Sequence, residues 1–234
     1  MKKMSFIDHL EELRSRIIKS FLFIIFFSFL GYYFSDNIID FLINPLKKNN
    51  MNLQVLKITS IFLVKIGLSV IAGIVLSFPF VLYQFLKFIL PAFEGKLSNL
   101  KIVFIICLCI FLFIVGSIFG YNILIPASIS FFKGLSVNLN FITLNYTLEN
   151  YLVYLVWILI ASSIIFQTPL LLIFMIKIGL LSIDYLKVRR KYIVVGLFVM
   201  AALLSPPDPV SQILVVIPLY LLFEVSLFIS KFIK

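Results

Sequence analysis

Residues 17–34 form an apolar run in which Lys19 is the sole charge, and comparable runs recur through to the C-terminus. Wound as helix at about 1.5 Å per residue, some twenty apolar residues cross the roughly 30 Å hydrocarbon layer of a bilayer. Of the 234 residues, 62% are hydrophobic and 13% charged, against roughly 45–50% and about 25% in soluble domains. With a mean hydropathy of +1.17, a soluble fold of this length could not hide its apolar surface. The solvent is lipid, and the fold class that follows is an all-α polytopic membrane protein.

Six transmembrane helices are expected, at about residues 17–34, 61–86, 102–125, 151–176, 192–204 and 210–230, within a single membrane domain covering 1–234. Ahead of the first, Ser5 and Asp8 fit a capping box. Ile7, Leu10, Leu13 and Ile17 then recur at helical spacing, so an amphipathic helix over about residues 5–16 runs into the first span. That span reads as an anchor rather than a cleaved signal peptide, because Asp8, Glu11 and Glu12 precede it and its apolar run is long. Residues 36–59 read as a polar loop, and Pro126 as the stop of the third span before a second loop over 127–150. The last two helices are short. Between them Ser205-Pro206-Pro207-Asp208-Pro209 reads as a rigid turn, since proline fixes φ and removes a donor. Short spans imply a tight hairpin or local thinning of the bilayer.

The net charge of +10 does not point to nucleic acid, which needs the basic groups gathered on one exposed face. Here they lie between apolar runs and report topology. With the N-terminus in the cytosol (or matrix or stroma), 15 of the 20 Lys and Arg fall inside, among them Arg14, Arg16, Lys187, Arg189, Arg190 and Lys191. Lys47, Lys48, Lys57, Lys65 and Lys133 fall outside. Such a bias puts both termini on the inner side.

Few residues can carry chemistry. The patch His9-Leu10-Glu11-Glu12-Leu13-Arg14-Ser15-Arg16 allows two readings. Glu12 and Arg16, four apart, can pair with each other for about 0.2–0.5 kcal/mol, or a carboxylate can stay available for a cationic partner. Gln167, followed by Pro169, is an amide inside a span and hydrogen-bonds another helix, internal or from a partner; Gln84 has the same ambiguity. Glu224 is the one acid inside the last span, where acids default to function, although it lies close enough to the interface to reach it. Lys65 reads as structural, its amine extending to the outer surface. His9 is the only histidine, and Cys107 and Cys109 sit within one apolar run. No metal site, cofactor site or base–nucleophile set is expected, and the chain does not read as an enzyme. A secondary transporter of a small solute is the alternative on these grounds, but the repeats and midplane acids of such proteins are not evident.

The order of the motifs narrows this. His9-Leu10-Glu11-Glu12-Leu13-Arg14, Asn44-Pro45-Leu46, Pro79 with Leu82-Tyr83-Gln84, and Phe166-Gln167-Thr168-Pro169 succeed one another along the chain. Arg189-Arg190-Lys191-Tyr192 and Ser205-Pro206-Pro207-Asp208-Pro209-Val210-Ser211-Gln212 follow, then Ile217-Pro218 and Leu222-Phe223-Glu224. Together they resemble the TatC family of the twin-arginine (Sec-independent) protein translocase, over essentially the whole chain.

The resemblance implies a receptor and core subunit that binds twin-arginine signal peptides on folded cargo. With single-span TatA/TatB-type partners and further copies of itself, it moves that cargo across the membrane on the proton-motive force. The membrane is a bacterial inner membrane or a mitochondrial or thylakoid one. By position, Glu12 and Arg14 match the family's N-terminal signal-binding motif. Leu97 stands where members place a second signal-binding glutamate; either Glu94, the only acid of that loop, substitutes for it from one turn away, or the loop is realigned. Gln167 and Pro169 match a polar position tied to partner contact. Pro45, Asp208, Gln212 and Glu224 match further functional positions.

Overall fold

In hydrocarbon each unpaired backbone N–H or C=O costs several kcal/mol, and the chain satisfies these groups almost wholly in helices. A computed structural model describes residues 6–48, 53–89, 99–137, 146–204 and 209–233. Ser5, Pro91, Glu94, Leu97 and the Ser205–Asp208 turn lie outside the described residues. The chain divides into two compact units.

The first unit comprises residues 1–44 and 55–110. It holds α1 (Phe6–Tyr33), most of α2 (Ser35–Lys48), α3 (Ser60–Ile89) and the first half of α4 (Asn99–Phe119). α1 is continuous from the polar patch into the apolar run, and it packs along α3. Phe23 stacks on Phe80 with ring centroids 3.7 Å apart. After Tyr33 the chain bends by 72° into α2. Residues 36–59, expected as loop, therefore begin with helix. The reason is periodicity beneath a polar composition: Ser35, Leu42, Pro45 and Leu46 are buried, while Asp36, Asn37, Asp40, Asn44 and Lys47 are exposed. Asp36 in the first turn suits the helix dipole, and its carboxylate accepts from Lys65 Nζ at 2.6 Å. The lysine thus ties the bend to α3.

The second unit comprises residues 45–54 and 111–234. Its only described strands, β1 (Leu53–Gln54) and β2 (Tyr146–Thr147), form a short parallel pair. Pro126 does not stop the helix after α4. A π-turn over Gly120–Leu124 widens the backbone, with Ile125 N–H reaching the Gly120 carbonyl, and α5 (Ile125–Val137) continues. The wide turn lies directly before Pro126 and accommodates its missing donor. α6 (Leu148–Ile165) and α7 (Thr168–Lys177) follow, interrupted at Phe166–Gln167. Pro169 sits in the first turn of α7, where a donor is not needed. Across the interruption the Thr168 hydroxyl donates to the Ile165 carbonyl.

α8 (Ile183–Val188) is capped by Ser182, whose hydroxyl accepts from Tyr185 N–H at 3.1 Å. α9 (Arg190–Leu204) and α10 (Pro209–Ile233) complete the unit. Ile183, Leu186, Phe223 and Leu227 form a buried core, with Leu172, Ile176, Ile193 and Tyr220 packed against it.

Among the described residues, 60–88, 102–134, 148–177 and 212–231 are helical stretches long and apolar enough to cross a membrane. The bent pair 9–33 and 35–47 is a fifth if taken as one span. α9 has 15 residues, about 22 Å at 1.5 Å each, short of a full hydrocarbon layer. The fold is an all-α polytopic membrane fold.

Candidate functional site

Within the first unit the sequence-marked patch becomes a hydrogen-bonded cluster near the start of α1. Glu12 and Arg16 stand one turn apart on one helix face, as i and i+4 must. Glu12 Oε1 accepts from Arg16 Nε at 3.0 Å and from Nη2 as well. Arg16 Nη1 then donates to Gln84 Oε1 on α3 at 3.1 Å. The self-pairing reading of Glu12 and Arg16 is therefore realised, and the Gln84 amide oxygen bonds across the α1–α3 contact. The second Glu12 oxygen, Oε2, lies 4.0 Å from His9 Nδ1, beyond hydrogen-bonding distance.

The surroundings give the cluster its shape. His9 stacks on Phe88 with centroids 4.4 Å apart and planes 13° from parallel. Lys87 Nζ donates to Tyr83 Oη at 3.2 Å. Glu12 and Arg16 side chains are 23% and 16% exposed, so salt screens this pair less than a fully solvated one, while desolvation offsets part of the gain. Arg14 is exposed on the same helix. Chemically, the patch is a carboxylate and an amide oxygen that already hold a guanidinium between them.

In the second unit Glu224 is satisfied at both oxygens. Oε2 accepts from Arg190 Nη2 at 2.9 Å and Oε1 from Tyr220 Oη at 2.9 Å. Arg190 opens α9, so the acid joins α9 to α10. Beside it, Arg189 lies over the Tyr185 and Tyr192 rings, 4.9 and 5.8 Å from their centroids.

Gln167 is half-buried at the α6–α7 interruption. Its carbonyl accepts from Leu170 and Leu171 N–H, both at 3.1 Å, while Pro169 is buried beside it. Gln212 Nε2 donates to the Phe198 carbonyl at 2.9 Å, pinning α10 to α9. Pro45 is buried in α2. Asp208 and Glu94 lie outside the described residues, so the structure does not bear on whether Glu94 serves in place of Leu97.

Two contacts carry no sequence signal. Arg16–Gln84 joins residues 68 apart and Arg190–Glu224 residues 34 apart. Only the spacing of Glu12 and Arg16 announces the first cluster.

The family model described as Sec-independent protein translocase protein (TatC) matches residues 8–218. The Sec-independent protein translocase protein TatC of Desulforapulum autotrophicum is 35% identical, over 97% of this chain and 84% of its own. The tatC-like protein ymf16 of Reclinomonas americana is 38% identical, over 97% of this chain and 88% of its own. Among solved structures, the crystal structure of the twin-arginine translocase receptor TatC in DDM matches with a TM-score of 0.80 and 31% identity. That match covers 95% of this chain and 99% of that one.

Proposed function

The chain belongs to the TatC family, and from that premise we propose that it is the signal-peptide receptor and core subunit of a twin-arginine translocase. As a family member it is a multi-pass membrane component of a Sec-independent protein translocase, not a catalytic enzyme. The observation that carries the receptor reading is that Glu12 already binds a guanidinium in a half-buried cluster. A carboxylate accepts a guanidinium's forked donors side by side, while an ammonium offers no fork. Glu12 is the acceptor for one arginine of the signal, Arg14 shapes the rim, and Glu94 is the acid for the second arginine.

The same reading assigns six spans with both termini on the inner face, counting α9 as a short fifth. That leaves the Glu12 patch facing the compartment where cargo folds, a bacterial cytosol or its organellar equivalent. Single-span TatA/TatB-type partners and further copies of the chain complete the translocase, which draws on the proton-motive force.

The recognition step is tested by titrating a labelled twin-arginine peptide against the full chain in nanodiscs. Glu12→Gln removes the charge but keeps the shape. A hydrogen bond to a charged group contributes about 1.5–3 kcal/mol, so affinity is expected to fall by about tenfold to a hundredfold. Unchanged affinity would remove Glu12 from the site. Partner contact is tested at Gln167: Gln167→Leu is expected to lower crosslinking to a single-span partner while the folded yield stays constant. Undiminished crosslinking would return Gln167 to a purely internal role.

A further inference from the structure

We propose that Arg16 is an internal placeholder for the incoming guanidinium on Glu12, and that Gln84 receives it when a signal peptide binds. The inference rests on the receptor reading above and concerns how that same site is kept and opened.

The geometry sets the problem. A bidentate arginine–carboxylate pair uses both carboxylate oxygens. Glu12 Oε1 is already occupied by Arg16 Nε and Nη2, and among the described residues Oε2 has no donor within hydrogen-bonding distance, His9 Nδ1 lying at 4.0 Å. An arriving arginine can begin on Oε2, but it completes its fork only when Arg16 releases Oε1.

Release needs a destination. Arg16 is 16% exposed, and a poorly solvated charge that loses its partner is strongly unfavourable. The Gln84 amide supplies the destination: its Oε1 already accepts Arg16 Nη1 at 3.1 Å. That bond lies on a different edge of the guanidinium from the one Glu12 holds; on release it becomes Arg16's principal partner, so it counts for more in the bound state than in the resting one. Glu12, Arg16 and Gln84 are thus arranged as donor site, occupant and acceptor site of a handover. In the resting receptor the placeholder keeps Glu12 compact and paired; in the bound one, Arg16 has moved onto α3. Both Arg16 and Gln84 are positioning residues, acting through Glu12.

The experiment measures Kd for a labelled twin-arginine peptide on the full chain in nanodiscs. Arg16→Lys keeps the charge but loses the fork, so the placeholder weakens, and binding is expected to tighten by about tenfold, one charge-assisted contact. Gln84→Leu leaves the displaced arginine without its acceptor, so binding is expected to weaken severalfold. In an Arg16→Met background the same Gln84→Leu change is expected to have no effect, because nothing is left to hand over. A role for Arg16 in orienting Glu12 gives the opposite sign, weaker binding in Arg16→Lys. That result, or an equal Gln84→Leu loss in both backgrounds, overturns the placeholder. Glu12→Gln separates the two levels. If it leaves binding unchanged the receptor site itself is wrong, whereas if it weakens binding while Arg16→Lys does not tighten it, only the placeholder fails.

Discussion

Gly73→Leu is expected to unfold or separate the α1–α3 pair, the largest effect of any single change in the first unit. A Cβ at Gly73 would overlap Ser28 Oγ and lie 2.7 Å from Ser28 N and 2.8 Å from the Ile24 carbonyl oxygen. Rotating the serine relieves only the first contact; the other two are backbone, so the helices must part. In lipid, helices associate through close packing rather than through a hydrophobic driving force between them. Parting them forfeits that packing, including the Phe23–Phe80 stack. It also strains the Arg16–Gln84 bond, which bridges the same two helices. Overpacking of this kind costs about 3 kcal/mol, occasionally more. The control is Gly67→Leu on the same helix, where an added Cβ meets nothing within 4 Å. A thermal melt in detergent should show a large loss for Gly73→Leu and little change for Gly67→Leu. Equal melting of both variants would contradict the packing account.

The counterpart in the second unit is Gly116→Leu, where α4 meets α6. A Cβ there would lie 2.8 Å from Ser163 Cα, 2.9 Å from the Ser162 carbonyl oxygen and 3.0 Å from Phe166 Cβ. Close approach also permits two polar bonds: Ser162 Oγ donates to the Gly116 carbonyl at 2.9 Å, and the Ser117 and Ser163 hydroxyls share a hydrogen bond of 2.7 Å. Interhelical bonds of this type contribute about 0.6 kcal/mol each in membranes, so steric separation is the larger loss, again about 3 kcal/mol. Ser163 is one turn before Gln167, and the damage should therefore reach the α6–α7 interruption. Gly116→Leu is expected to lower both the melting temperature and single-span partner crosslinking at Gln167, whereas Gly134→Leu, with open space around it, should lower neither. Stability retained in Gly116→Leu would show that the seam is not close-packed.

What the amino-acid sequence conveys, and what it does not, follows from range. Long apolar runs reveal the membrane-crossing helices because bilayer thickness imposes their length directly. α2 is hidden because Asp36, Asn37, Asp40, Asn44 and Lys47 lower its average hydropathy; its buried stripe is visible only when positions three and four apart are compared. Pro126 reads as a helix stop because proline lacks the donor that continues an α-turn, and the sequence does not announce the π-turn that absorbs it. At the site, Glu12–Arg16 is legible from i,i+4 spacing alone. Gln84 as the third member is not, since it depends on how α3 lies against α1. Glu224 as an acid is evident; its pairing with Arg190 and Tyr220, which turns it into a joint between α9 and α10, is a product of tertiary packing.

The central claim is that this chain reads paired guanidiniums at the Glu12 patch. The most direct measurement is photo-crosslinking of a labelled twin-arginine signal peptide to the protein in native-like membranes, beside a twin-lysine peptide of the same sequence otherwise. The account predicts a crosslink to residues around Glu12 that the lysine substitution abolishes, because a point charge cannot occupy the forked geometry. Equal labelling by both peptides, or labelling confined to residues remote from Glu12, would contradict it.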